Sequence, residues 1–178
     1  MPLSDLEIWA EIHANRLQIV PLDEERVKAH TIDLRLGNHL LLLFKREDVR
    51  GTVINPQIAD VMSVVKRHSE EITLSEGQVF PLEPGRLVLA KTLERVALPH
   101  YLAARVEGKS GFARVGLQTH VTAPIIHPGF DNVITLELIN NGPFDLLLAP
   151  GMDIAQLVIE RLGSPVINPY QGRFQSQQ

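Results

Sequence analysis

The chain has 178 residues, 44% of them hydrophobic and 21% charged, with a formal net charge of -4 and no cysteine. That length suits one domain with a buried core, and the balance excludes long disorder, a general basic field for nucleic acid, disulfides and every thiolate metal site. The longest apolar run, Leu40 to Phe44, is too short to cross a bilayer, and the N-terminal MPLSDLE lacks the regions of a signal peptide, so a cytoplasmic protein without membrane or nucleic-acid partners is expected.

Ser4-Asp5-Leu6-Glu7 reads as a capping box, with Leu3 stapled to Ile8, and predicts a short helix to about Asn15 with Ile8, Trp9 and Ile12 on its buried side. From Leu17 onward the pattern changes to short apolar runs. Strands are predicted near Gln18–Val20, Ile32–Leu36, Leu40–Lys45, Val53–Ile54, Ile72–Leu74 and Gln78–Leu82. Further strands follow near Arg86–Leu98, Ala103–Glu107, Val121–Ala123, Asn132–Asn140, Phe144–Leu148 and Ile154–Leu162. Turns are expected at Leu36-Gly37-Asn38, Ser75-Glu76-Gly77, Glu83-Pro84-Gly85, His127-Pro128-Gly129, Asn140-Asn141-Gly142 and Ala149-Pro150-Gly151. Asp60–Arg67 is compatible with a turn of helix or a mobile loop. Many short strands beside one clear helix argue for an all-β sandwich or jelly roll. The terminal NPYQGRFQSQQ has no apolar periodicity and reads as a floppy tail, although Tyr170, Arg173 and Phe174 offer groups to a ligand or a neighbouring subunit.

Four features are weighed for chemistry. Glycines at 108, 111 and 116 let the loop Glu107-Gly108-Lys109-Ser110-Gly111-Phe112-Ala113-Arg114 bring backbone N–H groups close to an anion, with Lys109 and Arg114 adding charge. Only the terminal GKS of a Walker A loop is present, so the alternative is a solvated turn with two surface cations. On Val133-Ile134-Thr135-Leu136-Glu137-Leu138-Ile139, alternation places Glu137 with Val133, Thr135 and Ile139. Burial there would raise its pKa and suit it to proton transfer, whereas a sheet-rim position would leave it an ordinary solvated glutamate. His120 and His127 lack the further ligands that zinc needs and are assigned structural or hydrogen-bonding roles. Asp33 and Arg35 alternate onto one face, where they can pair with each other or across subunits.

The run TIDLRLG from Thr31, the EGKSGFARVGL loop, HVTAPIIHPGF, ITLELINNGP, PGMDIAQLVIE and the terminal PYQGRFQSQQ, in that order, resemble the dCTP deaminase family of the dUTPase-like superfamily. The resemblance implies one dUTPase-like domain over residues 1–178, a mainly-β distorted jelly roll or barrel with a short N-terminal helix. It implies a homotrimer with shared active sites, and a flexible segment 165–178 that closes over the nucleotide. The implied reaction is zinc-independent hydrolysis of dCTP to dUTP and ammonia, in deoxyribonucleotide synthesis. Mg²⁺ would ride on the triphosphate, with no protein metal site, and dTTP would act as an inhibitor. The absence of cysteine fits the contrast with zinc deaminases.

By the same resemblance Glu137 is the general base, Ser110 and the Ala123 carbonyl hold the attacking water, and Arg114 fixes the geometry and favours an ionised Glu137. Lys109 and the backbone at Ser110, Gly111, Phe112, Ala113 and Arg114 cradle the phosphates. Thr135, Leu136 and Gln156 contact the nucleoside, and Tyr170, Arg173 and Gln177 belong to the closing segment.

Three positions depart from the family pattern. Lys109 stands where many members carry arginine, Gly111 where a second serine is usual, and His127 where many members and the dUTPases use aspartate. The missing aspartate leans against a dUTPase-type pyrophosphatase and against a bifunctional enzyme that carries dCTP through to dUMP. A third reading is a catalytically silent trimer that binds nucleotides.

Overall fold

The computed structural model describes residues 1–45, 47–57 and 60–172. Helix α1 spans Asp5–His13 and starts from the expected box, in which the Ser4 hydroxyl accepts from the Glu7 N–H and the Glu7 carboxylate accepts from the Ser4 N–H at 3.0 Å. Asn15, with φ at 56°, turns the chain out of the helix. Leu3 and Ile8 are buried as the staple requires, and Trp9 and Ile12 are half-buried. The inner side of the helix also buries Glu11, whose carboxylate accepts from Arg16 at 2.7 Å, Tyr101 at 2.7 Å and Arg161 at 2.8 Å. These bonds tie α1 to the far end of the sheet.

The strands are β1 (Gln18–Val20), β2 (Thr31–Leu43), β3 (Ser69–Thr73), β4 (Phe80–Leu82), β5 (Leu87–Ala97) and β6 (Leu102–Gly108). They continue with β7 (Leu117–Gln118), β8 (Ile125–Ile126), β9 (Asp131–Asn140), β10 (Leu146–Leu148) and β11 (Asp153–Arg161). Two short helices join them, α2 (Val61–Arg67) and α3 (Ser110–Ala113). One curled, half-barrel sheet has the order β7-β9-β5-β2-β11-β6-β8, with β1 on β5 and β3 on β2, while β10 and β4 form a separate ribbon. All pairings are antiparallel. The mainly-β jelly-roll expectation holds.

Three local expectations change, and one segment open between two readings resolves. Ile32–Leu36 and Leu40–Lys45 are one strand, and the expected turn at Leu36-Gly37-Asn38 is a register shift in which Leu36 faces Thr92 and Leu40 faces Ala90. A Cβ on Gly37 would lie 2.9 Å from the Lys91 carbonyl oxygen, so this glycine serves close backbone packing at a bend. Val53–Ile54 is not a strand, and Val53 is exposed; nothing pairs with it among the described residues. Val121–Ala123 is bent and exposed because the Val121 N–H goes to a side chain, and the strand forms instead at Ile125–Ile126. Asp60–Arg67 resolves to the helix α2, capped by the Asp60 carboxylate.

Alternation along β5 turns Val88, Ala90, Thr92, Glu94 and Val96 inward. The fully buried Glu94 carboxylate accepts from the Arg35 backbone N–H at 2.8 Å and the Arg35 Nε at 2.6 Å. Thr92 accepts from the Ile134 N–H at 2.9 Å, joining β5 to β9 where their register shifts.

Candidate active site

Strand β6 ends at Gly108, and Lys109 keeps an extended backbone before the chain turns into α3. Lys109, Ser110, Gly111, Phe112 and Gln156 line an open hollow of about 300 Å³. Gln156 reaches it from β11, where it lies between Asp33 on β2 and Glu107 on β6. Its side-chain amide donates to the Gly108 carbonyl at 3.3 Å, fixing the end of β6. Phe112 packs its ring against the core, and Ser110, Gly111 and Ala113 are exposed. Arg114 is also exposed, with no ion pair among the described residues.

Lys109 is not a free cation. Its Nζ lies 2.8 Å from Asp33 Oδ1 and 3.9 Å from Asp153 Oδ2. Asp153 also pairs with Arg26, which bonds Asp23 in turn. Burial works against the Arg26 charge, but hydrogen bonds to Asp153 and Asp23 outweigh it and raise its pKa above the ordinary arginine value. Arg35 engages Glu94 and, at 3.0 Å, Asp23. The expected pairing of Asp33 with Arg35 is therefore replaced, because each finds a nearer partner across the sheet.

Strand β9 carries a second group. Ile134, Leu136 and Leu138 face the core, leaving Thr135 exposed and Glu137 half-buried on the open face. Glu137 Oε2 accepts the Val121 N–H at 3.0 Å, which draws the segment carrying Ala123 alongside it. His120 is half-buried nearby, and its Nδ1 has no hydrogen-bond partner among the described residues.

A third group lies at the His127-Pro128-Gly129 turn. His127 and Tyr170 stack with ring centroids 5.8 Å apart, and these two residues line a hollow of about 290 Å³ with Pro128, Val166 and Asn168. The Tyr170 N–H donates to the Pro128 carbonyl at 2.8 Å. Gly129 has φ at 84°, and a Cβ on it would lie 2.8 Å from Pro169, so a side chain there would push this segment away. Arg173 and Gln177, with Phe174, lie outside the described residues.

The structure thus gathers Lys109, Ser110, Gly111, Phe112 and Gln156 around one hollow, and sets Glu137 and Thr135 on β9 beside the segment that carries Ala123. Among the described residues no hydrogen bond or ion pair links Glu137 to Ser110 or Arg114. In the sheet, β5, β2 and β11 stand between the strand carrying Glu137 and the strand that ends at Gly108, just before Lys109. Reading of the sequence passed over Glu94 and Asp153; alternation along Val88-Ala90-Thr92-Glu94-Val96 was a usable signal for the first, and none marked the second. Among the described residues no group of three or more His, Asp or Glu side chains is arranged to hold a metal ion.

Residues 2–162 match the family model described as dCTP deaminase-like. A protein of Mycolicibacterium vanbaalenii named "dCTP deaminase, dUMP-forming" is 45% identical over 172 residues, which is 96% of this chain and 85% of that one. One of the same name from Streptomyces avermitilis is 43% identical over the same shares. Among solved structures, a 2'-deoxycytidine 5'-triphosphate deaminase from Agrobacterium tumefaciens is similar with a TM-score of 0.68 and 25% identity, over 91% of this chain. That match takes in 49% of the Agrobacterium chain, so this chain spans about half its length.

Proposed function

The chain belongs to the dCTP deaminase-like family, and on that premise we propose that it hydrolyses dCTP first to dUTP and ammonia and then to dUMP and pyrophosphate. The expected end product, dUTP, gives way here to dUMP. The names of relatives at 43–45% identity over 96% of the chain support that change and outweigh the leaning drawn from His127.

Glu137 carries the reading of the chemistry. One of its oxygens is oriented by the Val121 N–H, and the carboxylate stands on the open face of β9 with lone pairs left over. In this reading it takes a proton from water, the oxygen attacks C4 of the cytosine, and the proton passes to the leaving amine. Ser110 and the Ala123 carbonyl hold the water and Arg114 orients it. Thr135, Leu136 and Gln156 position the nucleoside, while Lys109 and the backbone through Ala113 receive the phosphates. Tyr170, Arg173 and Gln177 complete the closure. Mg²⁺ would be carried by the nucleotide and would neutralise charge on the phosphates received by Lys109 and the loop backbone, and dTTP would compete for the site.

Strands β5, β2 and β11 stand between β9, which carries Glu137, and β6, which leads into Lys109, and no hydrogen bond or ion pair among the described residues joins Glu137 to Ser110 or Arg114; this supports a homotrimer in which neighbouring copies complete each site. No helix among the described residues is long and apolar enough to cross a membrane, and a cytoplasmic location belongs to the same proposal.

Incubation with dCTP and Mg²⁺ tests it. Ammonia, dUMP and pyrophosphate without accumulation of dUTP are expected. Accumulating dUTP with no pyrophosphate would return the assignment to a single deamination, and nucleotide binding without any product would leave a silent trimer.

A further inference from the structure

The acidic side of the Lys109 hollow has no role in the reaction above. Asp33 is nearly buried, its side chain 9% exposed, and one oxygen holds the Lys109 ammonium at 2.8 Å. Its other oxygen lies 4.0 Å from Nζ of Lys28, a side chain 52% exposed that is tethered to the Glu25 carbonyl at 2.5 Å. One buried carboxylate thus has a closely bound cation that lines the hollow and a second, more exposed cation at its other oxygen that does not.

A carboxylate this far from water needs a cation, and removing its partner leaves a costly bare charge. An ammonium held by a carboxylate has in turn lost much of its attraction for another anion. A polyphosphate entering the hollow has to draw Lys109 away from Asp33, and only a replacement cation keeps Asp33 paired. Lys28 is placed to be that replacement. Asp153 offers Lys109 no equivalent hold, since it is 3.9 Å away and already engaged by Arg26.

We propose that Asp33 is a positioning residue acting through Lys109, an internal counter-ion that restrains the Lys109 ammonium in the free chain and passes to Lys28 when a polyphosphate takes Lys109. The proposal rests on reading the hollow as the phosphate site. Lys28, which does not line the hollow, then contributes to affinity through Asp33.

Calorimetric binding of inorganic tripolyphosphate to the full chain, its K28A and D33N variants and the double variant tests this. Asp33→Asn is expected to tighten binding about three- to tenfold and Lys28→Ala to weaken it about two- to fivefold, magnitudes ordinary for partly buried charge pairs. In the D33N background, Lys28→Ala should change binding by less than about 1.5-fold, because its route through Asp33 is gone. A Lys28 effect undiminished in that background, or a D33N variant that binds no tighter, overturns the proposal. Should D33N fail to fold, the Asp33 carboxyl and Lys28 ammonium resonances of the unmodified chain must shift together during the titration, and a stationary Asp33 signal overturns it. If the unmodified chain binds no tripolyphosphate, the phosphate reading of the hollow falls, and ammonia release from dCTP by the same sample shows separately whether the deaminase reading stands.

Discussion

Gly116 and Gly142 meet backbone to backbone, so closely that a Cβ on Gly116 would lie 2.1 Å from the Gly142 nitrogen. A Cβ on Gly142 would in turn lie 1.9 Å from the Val115 carbonyl oxygen. The Asn141 N–H donates to the Gly116 carbonyl at 2.8 Å, and the buried Asn140 side chain braces the same turn on Leu82, Phe144 and Gly142. The contact clamps the loop that begins at Lys109 to the end of the strand that carries Glu137.

Gly116→Ala should therefore destabilise the chain by about 2–4 kcal/mol, since it adds a clash to a backbone at φ 96°. Thermal unfolding measures this, with Gly163→Ala as the comparison. Gly163 is exposed and a Cβ there meets nothing within 4 Å, so its change should stay within about 0.5 kcal/mol.

Glu137→Gln keeps the shape of the side chain and an oxygen to accept the Val121 N–H, but removes the base. The variant should fold and bind dCTP normally while losing turnover by roughly two to four orders of magnitude. Ammonia release and equilibrium binding of dCTP check the two halves, and substantial residual deamination would count against Glu137 as the base.

Gly111 lines the hollow yet needs neither its conformation nor its smallness, because a Cβ there would meet nothing within 4 Å. Gly111→Ser should leave stability within about 0.5 kcal/mol and add a hydroxyl donor for a phosphate oxygen. The expected kinetic result is a KM for dCTP lower by about two- to tenfold, corresponding to the net worth of one ordinary solvent-exchanged hydrogen bond.

Glu11 predicts an acid-sensitive joint between α1 and the sheet. Burial raises its pKa, but hydrogen bonds from Arg16, Tyr101 and Arg161 outweigh that and hold it at about 2, against 4.5 for an unperturbed glutamate. The unfolded chain therefore binds more protons between these values. The contribution of Glu11, up to about 3 kcal/mol, is complete above pH 4.5 and fades as the pH falls toward 2. Glu11→Gln should lower stability at neutral pH and flatten its loss across that window, which denaturant titrations at stepped pH would record.

Local pattern alone was enough for the fold class, most of the strand list, the Ser4 capping box and the glycines of the turns, because alternation, caps and turn chemistry are written within a few neighbouring residues. The loop from Lys109 to Arg114 and the glutamate of β9 were legible as chemistry for the same reason. Tertiary structure alone decided which charges meet. Asp33 lies far from Lys109 in the chain, and nothing near either residue says that β11 will lie between their strands and bring an ammonium to within 2.8 Å of a nearly buried carboxylate. Gly37 likewise reads as a turn until the neighbouring strand is in place, when the Lys91 carbonyl makes it a bend within one long strand. Long-range pairing sets these relationships, and short-range propensity carries no record of them.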